Sequence, residues 1–403
     1  MTIIDKIIDN KIQYYRAVWA AAQQMAFPIA MWRLPKQKEK HLLVDFSEKP
    51  QQTKIDFEEL PSGFAFSPFL NPDGAESYFL KADLHLVFDD NDILTVDTTQ
   101  SFQFNEFQKL IETFEQIDKV SPKNSNHQTV NLHQSSKEEF TSIVSKGIAA
   151  IEKGDFQKVV LSRTKQVELK DDFDIISTFD TLCQSYPNAF VSAVALPHLG
   201  MVWIGASPEI LASQDSNGIF RTMALAGTQS AFDANGQPIK PSEAMWRQKE
   251  IEEQALVSRY IINCLKRIRV REFEEEGPRT MVAGNLMHLR TDFLINTVEV
   301  NFPQLATVML DLLHPTSAVC GMPKVPATEF ILQNEGYDRE FYSGFLGPVN
   351  INQSSDIFVN LRTMKIQGGF ATLYAGCGIT ADSDPEKEWY ETEMKCQTLG
   401  KLL

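Results

Sequence analysis

Cysteine is scarce in this 403-residue chain, and the five present (Cys183, Cys264, Cys320, Cys377 and Cys396) are odd in number and scattered. With no CxxC pair and no Cys/His ligand spacing, neither a disulfide framework nor a zinc site organises the chain. Basic residues are outnumbered, 38 Lys and Arg against 53 Asp and Glu, for a net charge of −15. That balance excludes nucleic acid and an anionic membrane as partners, because phosphate binding needs basic surface. No apolar run reaches the roughly 18 residues of a membrane span. The first stretch, residues 1–24, carries acids and reads as an amphipathic helix, not a signal peptide. These absences together lead to an expectation of a reducing cytoplasm.

What is present is an ordinary globular composition, 43% hydrophobic and 23% charged, in a chain long enough to bury a substantial core. Residues 1–115 mix a first helix with short apolar runs at 27–34, 41–46 and 77–88, broken by a turn at Asn71-Pro72-Asp73-Gly74. Residues 104–114 look helical, and the polar stretch 119–135 is a candidate exposed loop. From Ser136 onward the reading sharpens. Ser136 with Glu139 forms a capping box, with Ile143, Ile148 and Ile151 as apolar positions before Gly154 ends the helix. Strands are expected at 157–169, 189–196, 201–205, 219–225, 357–366 and 370–377, with a long helix from about Ser242 to Arg267. Neighbouring strands with helices between them, without strict βαβ alternation, predict an α+β fold. The expectation is a single large domain of mainly antiparallel sheets packed together with helices outside, a variable N-terminal part at 1–135 and a catalytic core at 136–403.

The residues able to do chemistry fall into two helices and several strand ends. Near the C-terminus a strand runs into Gly376 and Gly378, where bare backbone can approach a ligand. Ser383, Pro385 and Glu386 then mark a helix start, and Glu388 and Glu391 share one of its faces, with Lys395 a turn further. The long helix carries a second such pair, Glu250 and Glu253, opposite an apolar side of Ile251, Ala255 and Leu256. One ExxE pair alone is equally a solvated helix face. Two pairs facing each other supply four carboxylates, which a hard cation such as magnesium suits and which repel without one. Lys158 opens a strand, where it is either a buried base or an edge guard. Glu209 follows Pro208 in a turn and is a candidate proton donor. Arg362, read as mid-strand, is costly there unless it meets a carboxylate, which Tyr342 could also bond. Gly227 and Thr228 form a strand-to-turn ligand site, and His288 and His314 are as readily structural as functional.

These segments resemble the chorismate-utilising enzymes, the family of isochorismate, salicylate, anthranilate and aminodeoxychorismate synthases. The resemblance covers roughly residues 136–397 and rests on KVVLSR at 158–163, GASPE at 205–209, LAGT at 225–228, KEIEEQALV at 249–257, HLRT at 288–291, HPTSAVCGMPK at 314–324, YSG at 342–344, LRT at 361–363 and AGCGI with SDPEKEWYETEMK near the C-terminus. By that resemblance Glu253 and Glu391 are direct Mg2+ ligands, with Glu250 and Glu388 acting through metal-bound water. The metal would grip the ring carboxylate of chorismate. Tyr342, Arg362 and the Gly378 backbone would hold the pyruvyl carboxylate, and Ala226, Gly227, Thr228, His288, Ala318, Gly376 and Lys395 complete the substrate-binding set.

Three positions distinguish the subfamilies. Water-using members carry Lys at the position of Lys158, where ammonia users tend to carry Gln. Ala226 stands where aminodeoxychorismate synthases place a nucleophilic lysine, and Ala318 where pyruvate-eliminating members usually place Thr. All three imply an isochorismate synthase, an isomerase in which Lys158 deprotonates a water attacking C2 and Glu209 protonates the departing C4 hydroxyl. A salicylate synthase is the nearest alternative, and a catalytically silent chorismate-binding protein a more distant one. The expected partners are chorismate alone, with no glutaminase subunit and a monomeric chain. The product, isochorismate, would feed either menaquinone or siderophore synthesis.

Overall fold

The computed structural model describes residues 11–70, 77–89, 93–99, 102–115, 133–233 and 235–403. The turn at 71–74, the first ten residues and most of the 119–135 loop lie outside the described residues. The chain begins with α1 (Lys11–Gln24), strands β1 (Ile29–Arg33), β2 (Lys40–Val44), β3 (Gln51–Thr53), β4 (Gly63–Ser67), β5 (Ser77–Lys81), β6 (Leu84–Phe88) and β7 (Ile93–Thr98), and α2 (Phe102–Glu115). Next come α3 (Lys137–Lys153), β8 (Lys158–Glu168), α4 (Ile175–Ser185), β9 (Phe190–Leu196), β10 (Met201–Ser207), β11 (Ile210–Gln214), β12 (Ile219–Ser230) and α5 (Gln248–Arg267). The last part holds β13 (Glu274–Ala283), β14 (Leu286–Asn296), α6 (Leu305–Leu313), β15 (Gly321–Met322), α7 (Lys324–Asn334), β16 (Phe345–Val349), β17 (Ser355–Val359), β18 (Thr363–Gln367), β19 (Phe370–Ile379) and α8 (Pro385–Gly400).

The strands form two sheets, ordered β15-β8-β19-β18-β10-β9-β1-β2-β6-β7 and β13-β14-β12-β11-β17-β16-β4-β5-β3. Strands from both sides of residue 135 enter each sheet. The sheets pack face to face, and alternation along β1 shows why the fold needs helices too. Ala30 and Trp32 point into the inter-sheet core with Phe64, Phe66 and Phe358. Ile29 and Met31 point the other way, against Val18 of α1, Phe107 of α2 and Phe179 of α4. The outer face of the nine-stranded sheet is covered in turn by α5 and α6, whose Val257 and Met309 cluster with Ala212 and Ala224, while α3 packs on β8 and β19 of the ten-stranded sheet, Gly147 lying against Val159, Leu161 and Ile379. The expected α+β architecture is therefore observed, with both faces of each sheet buried. Among the described residues no helix is long and apolar enough to cross a membrane.

Local chemistry sets the element ends, with some departures from expectation. The α3 capping box of Ser136 and Glu139 is present, and Gly154 closes the helix at φ 86°. Its deepest residues are Phe140, Val144, Gly147 and Ala150, with Ile143, Ile148 and Ile151 packed only partly buried beside them. The long helix begins at Gln248, not near Ser242: Pro241–Glu243 forms a separate turn, and Arg247 starts the helix by donating its N–H to Glu250 at 3.0 Å. The cap of α8 is Asp384, which accepts from Glu386 and Lys387; Ser383 accepts instead from the Thr380 N–H. The expected strand 357–366 is two strands, and Arg362 sits in the break between them at φ 47°. The chain turns there, so Arg362 leaves the sheet ladder and faces elsewhere.

Candidate active site

One cavity collects these chain breaks. Its space free of protein atoms is about 720 Å³, open mouth included. Its wall is Val160 from β8, Pro208 and Glu209 between β10 and β11, Ala226, Gly227 and Thr228 from β12, and His288 from β14. Ala318, Tyr342, Arg362, Gly376 and Gly378 complete it, with Glu253 reaching in from α5 and Lys395 from α8. Gly227, at φ 69°, lies in an irregularity of the β12–β14 ladder and packs against the Glu250 backbone.

Lys158 is fully buried, which sets aside the edge-guard reading. Its Nζ lies 3.0 Å from Glu253 Oε1 and finds no aligned hydrogen-bond partner among the described residues. A side chain on Gly378 would collide with that same Glu253 oxygen and with Lys158 Cε, so glycine there lets the pair close against the cavity. Glu209 is 3% exposed. Burial pushes its carboxyl up to about 8 against the opposing field of Lys158, so it holds a proton at neutral pH.

Basic residues are set among the four glutamates. Glu250 and Glu388 are almost wholly buried, which overturns the solvated-face reading of both helices. Glu250 pairs with Arg247, Glu388 with Lys249, and Glu391 Oε1 with Lys395 at 2.8 Å. Lys249 feels Glu388, Glu391 and Glu253 together, and Arg247 feels Glu250, Glu388 and Glu391. Burial raises the Glu388 carboxyl, and the neighbouring Glu391 raises it further. At Glu253 burial is outweighed by Lys158 and Lys249, which hold that carboxyl below its usual range.

Among the described residues no three carboxylate, imidazole or thiol side chains gather closely enough to form a finished coordination shell. The donor set nevertheless fits a hard divalent cation: all four are carboxylates, two of them crowd each other, and Glu388 Oε2 is buried without a hydrogen-bond partner among the described residues. The expected apolar side of α5 is wrong in this structure. Ile251 is exposed, and the buried face carries Glu250, Gln254, Val257 and Ile261.

Arg362 is buried, and no carboxylate of the described residues pairs with it. Its guanidinium donates to Ala283 O at 2.8 Å and to His288 Nε2 at 2.5 Å. Burial brings its pKa down to about 10. His288 Nδ1 lies 2.8 Å from Gly227 O, with Thr228 Oγ1 at 3.4 Å. Lys395 donates to Gly376 O at 2.7 Å, and Tyr342 stacks on Tyr374 at 5.2 Å between ring centres. Burial raises the Tyr342 hydroxyl to about 12, so it remains a donor. His314 does not line the cavity: its Nε2 lies 3.1 Å from Pro68 O, burial lowers its pKa to about 3, and it is structural. Sequence reasoning missed Arg247 and Lys249 as partners of the acids. The signal was the interleaving of bases with acids in RQKEIEE.

Three comparisons place the chain among known proteins. Residues 10–403 match the family model described as chorismate binding enzyme. The chain is 29% identical to the isochorismate synthase MenF of Escherichia coli (strain K12) over 276 residues, 68% of this chain and 62% of that protein. It thus spans less than two thirds of that relative's length. It is 27% identical to anthranilate synthase component 1 of Thermococcus kodakarensis over 273 residues, 66% of this chain and 68% of the relative. Its fold resembles the solved structure of E. coli MenF, a menaquinone-specific isochorismate synthase, with a TM-score of 0.72 and 23% identity, covering 95% of this chain and 90% of that one.

Proposed function

The chain belongs to the chorismate-binding enzyme family, and from that premise we propose that it is an isochorismate synthase, converting chorismate and isochorismate into one another. One observation carries this reading: a buried guanidinium without a carboxylate partner, Arg362, opens on the same cavity as a buried, protonated carboxyl, Glu209. A desolvated cation of this kind is costly unless a ligand anion meets it. The pyruvyl carboxylate of chorismate supplies that anion, with Tyr342 and the Gly378 backbone as further donors.

Glu253, Glu391, Glu250 and Glu388 would hold Mg2+, which when bound neutralises the acids and binds the ring carboxylate. Lys158, whose Nζ stands beside Glu253 at the cavity, would take a proton from a water whose oxygen bonds to C2. The diene electrons shift round the ring toward C4, the C4–O bond breaks, and Glu209 gives its proton to the departing hydroxyl. The product gains one hydroxyl and loses another, and a proton has passed from Glu209 to Lys158. A carboxyl donates at neutral pH only when its pKa is raised, as burial raises that of Glu209.

Lys158 supports water over ammonia as nucleophile, and Ala226 supports a route with no covalent intermediate. Ala318 on the cavity wall supports retention of the pyruvyl group over its loss to salicylate. Incubation of the purified protein with chorismate and Mg2+ tests the reading. Isochorismate is expected in equilibrium with chorismate; stoichiometric pyruvate and salicylate, or turnover that requires ammonia, would replace it with another activity of the family.

A further inference from the structure

His288 is a buried imidazole between the β12 irregularity and Arg362, and its two nitrogens are both spoken for. Arg362 can only donate, so the Nε2 it meets at 2.5 Å must be an acceptor. The carbonyl of Gly227 can only accept, so the Nδ1 at 2.8 Å carries the proton. The imidazole is therefore neutral and fixed in its Nδ1–H tautomer, with no nitrogen left for substrate. We propose that His288 is a positioning residue: it aims the Arg362 guanidinium at the ligand carboxylate, and it neither donates nor removes a proton during the reaction.

Geometry supplies the reason such a residue is needed. Arg362 stands at φ 47° in the break between β17 and β18, where its carbonyl accepts from the Ala206 N–H at 3.0 Å but strand alternation does not set the direction of its side chain. Its side chain is held instead at two points, Ala283 O at 2.8 Å and His288 Nε2. His288 in turn takes its orientation from Gly227, which packs so closely on Glu250 that a Cβ there would stand 3.1 Å from the Glu250 Cβ and 3.2 Å from its carbonyl oxygen, at a φ of 69° that favours glycine. The carboxylate-binding arginine is thereby tied, through one imidazole and one glycine, to the helix that carries Glu250 and Glu253. A charged imidazole would present a second cation to Arg362 and lose the acceptor, so neutrality is built into the contact.

This inference rests on chorismate as the substrate, and the test separates the two. An amide in place of the ring reproduces one nitrogen at a time: Gln reaches the Nε2 position and Asn the Nδ1 position. His288→Gln is expected to keep KM for chorismate within about 3-fold of wild type, while His288→Asn raises KM at least 10-fold; kcat stays within about 3-fold in both. A loss of kcat by two orders of magnitude in both variants with KM unchanged would mean that His288 handles a proton, and the proposal fails. Unchanged KM in His288→Asn would also overturn it. If wild type itself leaves chorismate untouched, the substrate assignment fails instead. The ring then still answers for itself in 15N spectra of histidine-labelled protein at pH 7.5, with the resonance assigned by its loss in His288→Asn. A neutral Nδ1–H signature is expected, and an imidazolium or Nε2–H signature sinks the positioning role.

Discussion

Replacing Glu209 with Gln removes one proton and leaves the shape of the side chain nearly intact. Burial lifts the native carboxyl from 4.5 to about 8. A group whose folded pKa is raised contributes stability fully present below the unfolded pKa and lost as pH climbs through the folded one. The window is therefore pH 4.5 to 8. Across it the wild-type protein loses 8 − 4.5 pKa units' worth of stability from this group, on the order of 5 kcal/mol at 1.36 kcal/mol per unit. The variant has no such slope. Urea unfolding followed by tryptophan fluorescence at pH steps between 4.5 and 9 should show Glu209→Gln gaining on wild type up to about pH 8 and then running parallel. The same carboxyl sets kinetics: kcat/KM of wild type should fall above about pH 8, where the acid is ionised, and the variant should lose roughly 10²–10⁴ in turnover. Parallel stability curves over the whole range, or a variant of near-normal rate, would refute a protonated general acid at this position.

Other substitutions probe the remaining parts. Lys158→Ala removes the proposed base and the partner of Glu253; turnover of chorismate, followed by product chromatography, should drop at least about 100-fold. Lys249→Met takes a resident cation away from Glu388. The metal-free melting temperature should fall, and Mg2+ affinity, read by calorimetry, should rise because the ion no longer competes with an ammonium for the same oxygen. Gly378→Ala puts a methyl into the Glu253 carboxylate and Lys158, so Mg2+ affinity should weaken by about 10–100-fold, as when a metal ligand loses its support.

Much of this molecule was legible as sequence because local chemistry and global fold agree. The capping box of Ser136, the glycine stop at Gly154 and the β-branched run of β8 each mean the same thing in isolation and in place. The reading failed where burial inverts the ordinary rule. In the first turns of α5 Glu250 and Gln254 face inward and Ile251 outward, since ligand chemistry competes with core formation for that surface. Arg362 looked like a strand residue because its neighbours are apolar; the break at Asn360–Arg362 comes from contacts of Asn360 with Phe341 O and of Ser343 with Asn360 O, made by chain distant in sequence. The bases among the acids were visible as letters, but which acid each would meet depends on how α5 and α8 cross the sheet.

The most direct test of the account is a reaction of chorismate with the Mg2+-loaded protein in ¹⁸O-labelled water, stopped early and analysed by mass spectrometry. Water attack at C2 with loss of the C4 hydroxyl predicts isochorismate carrying one ¹⁸O, located on C2. Isochorismate free of label would contradict it, because the hydroxyl would then have moved within the ring and no water would have been activated.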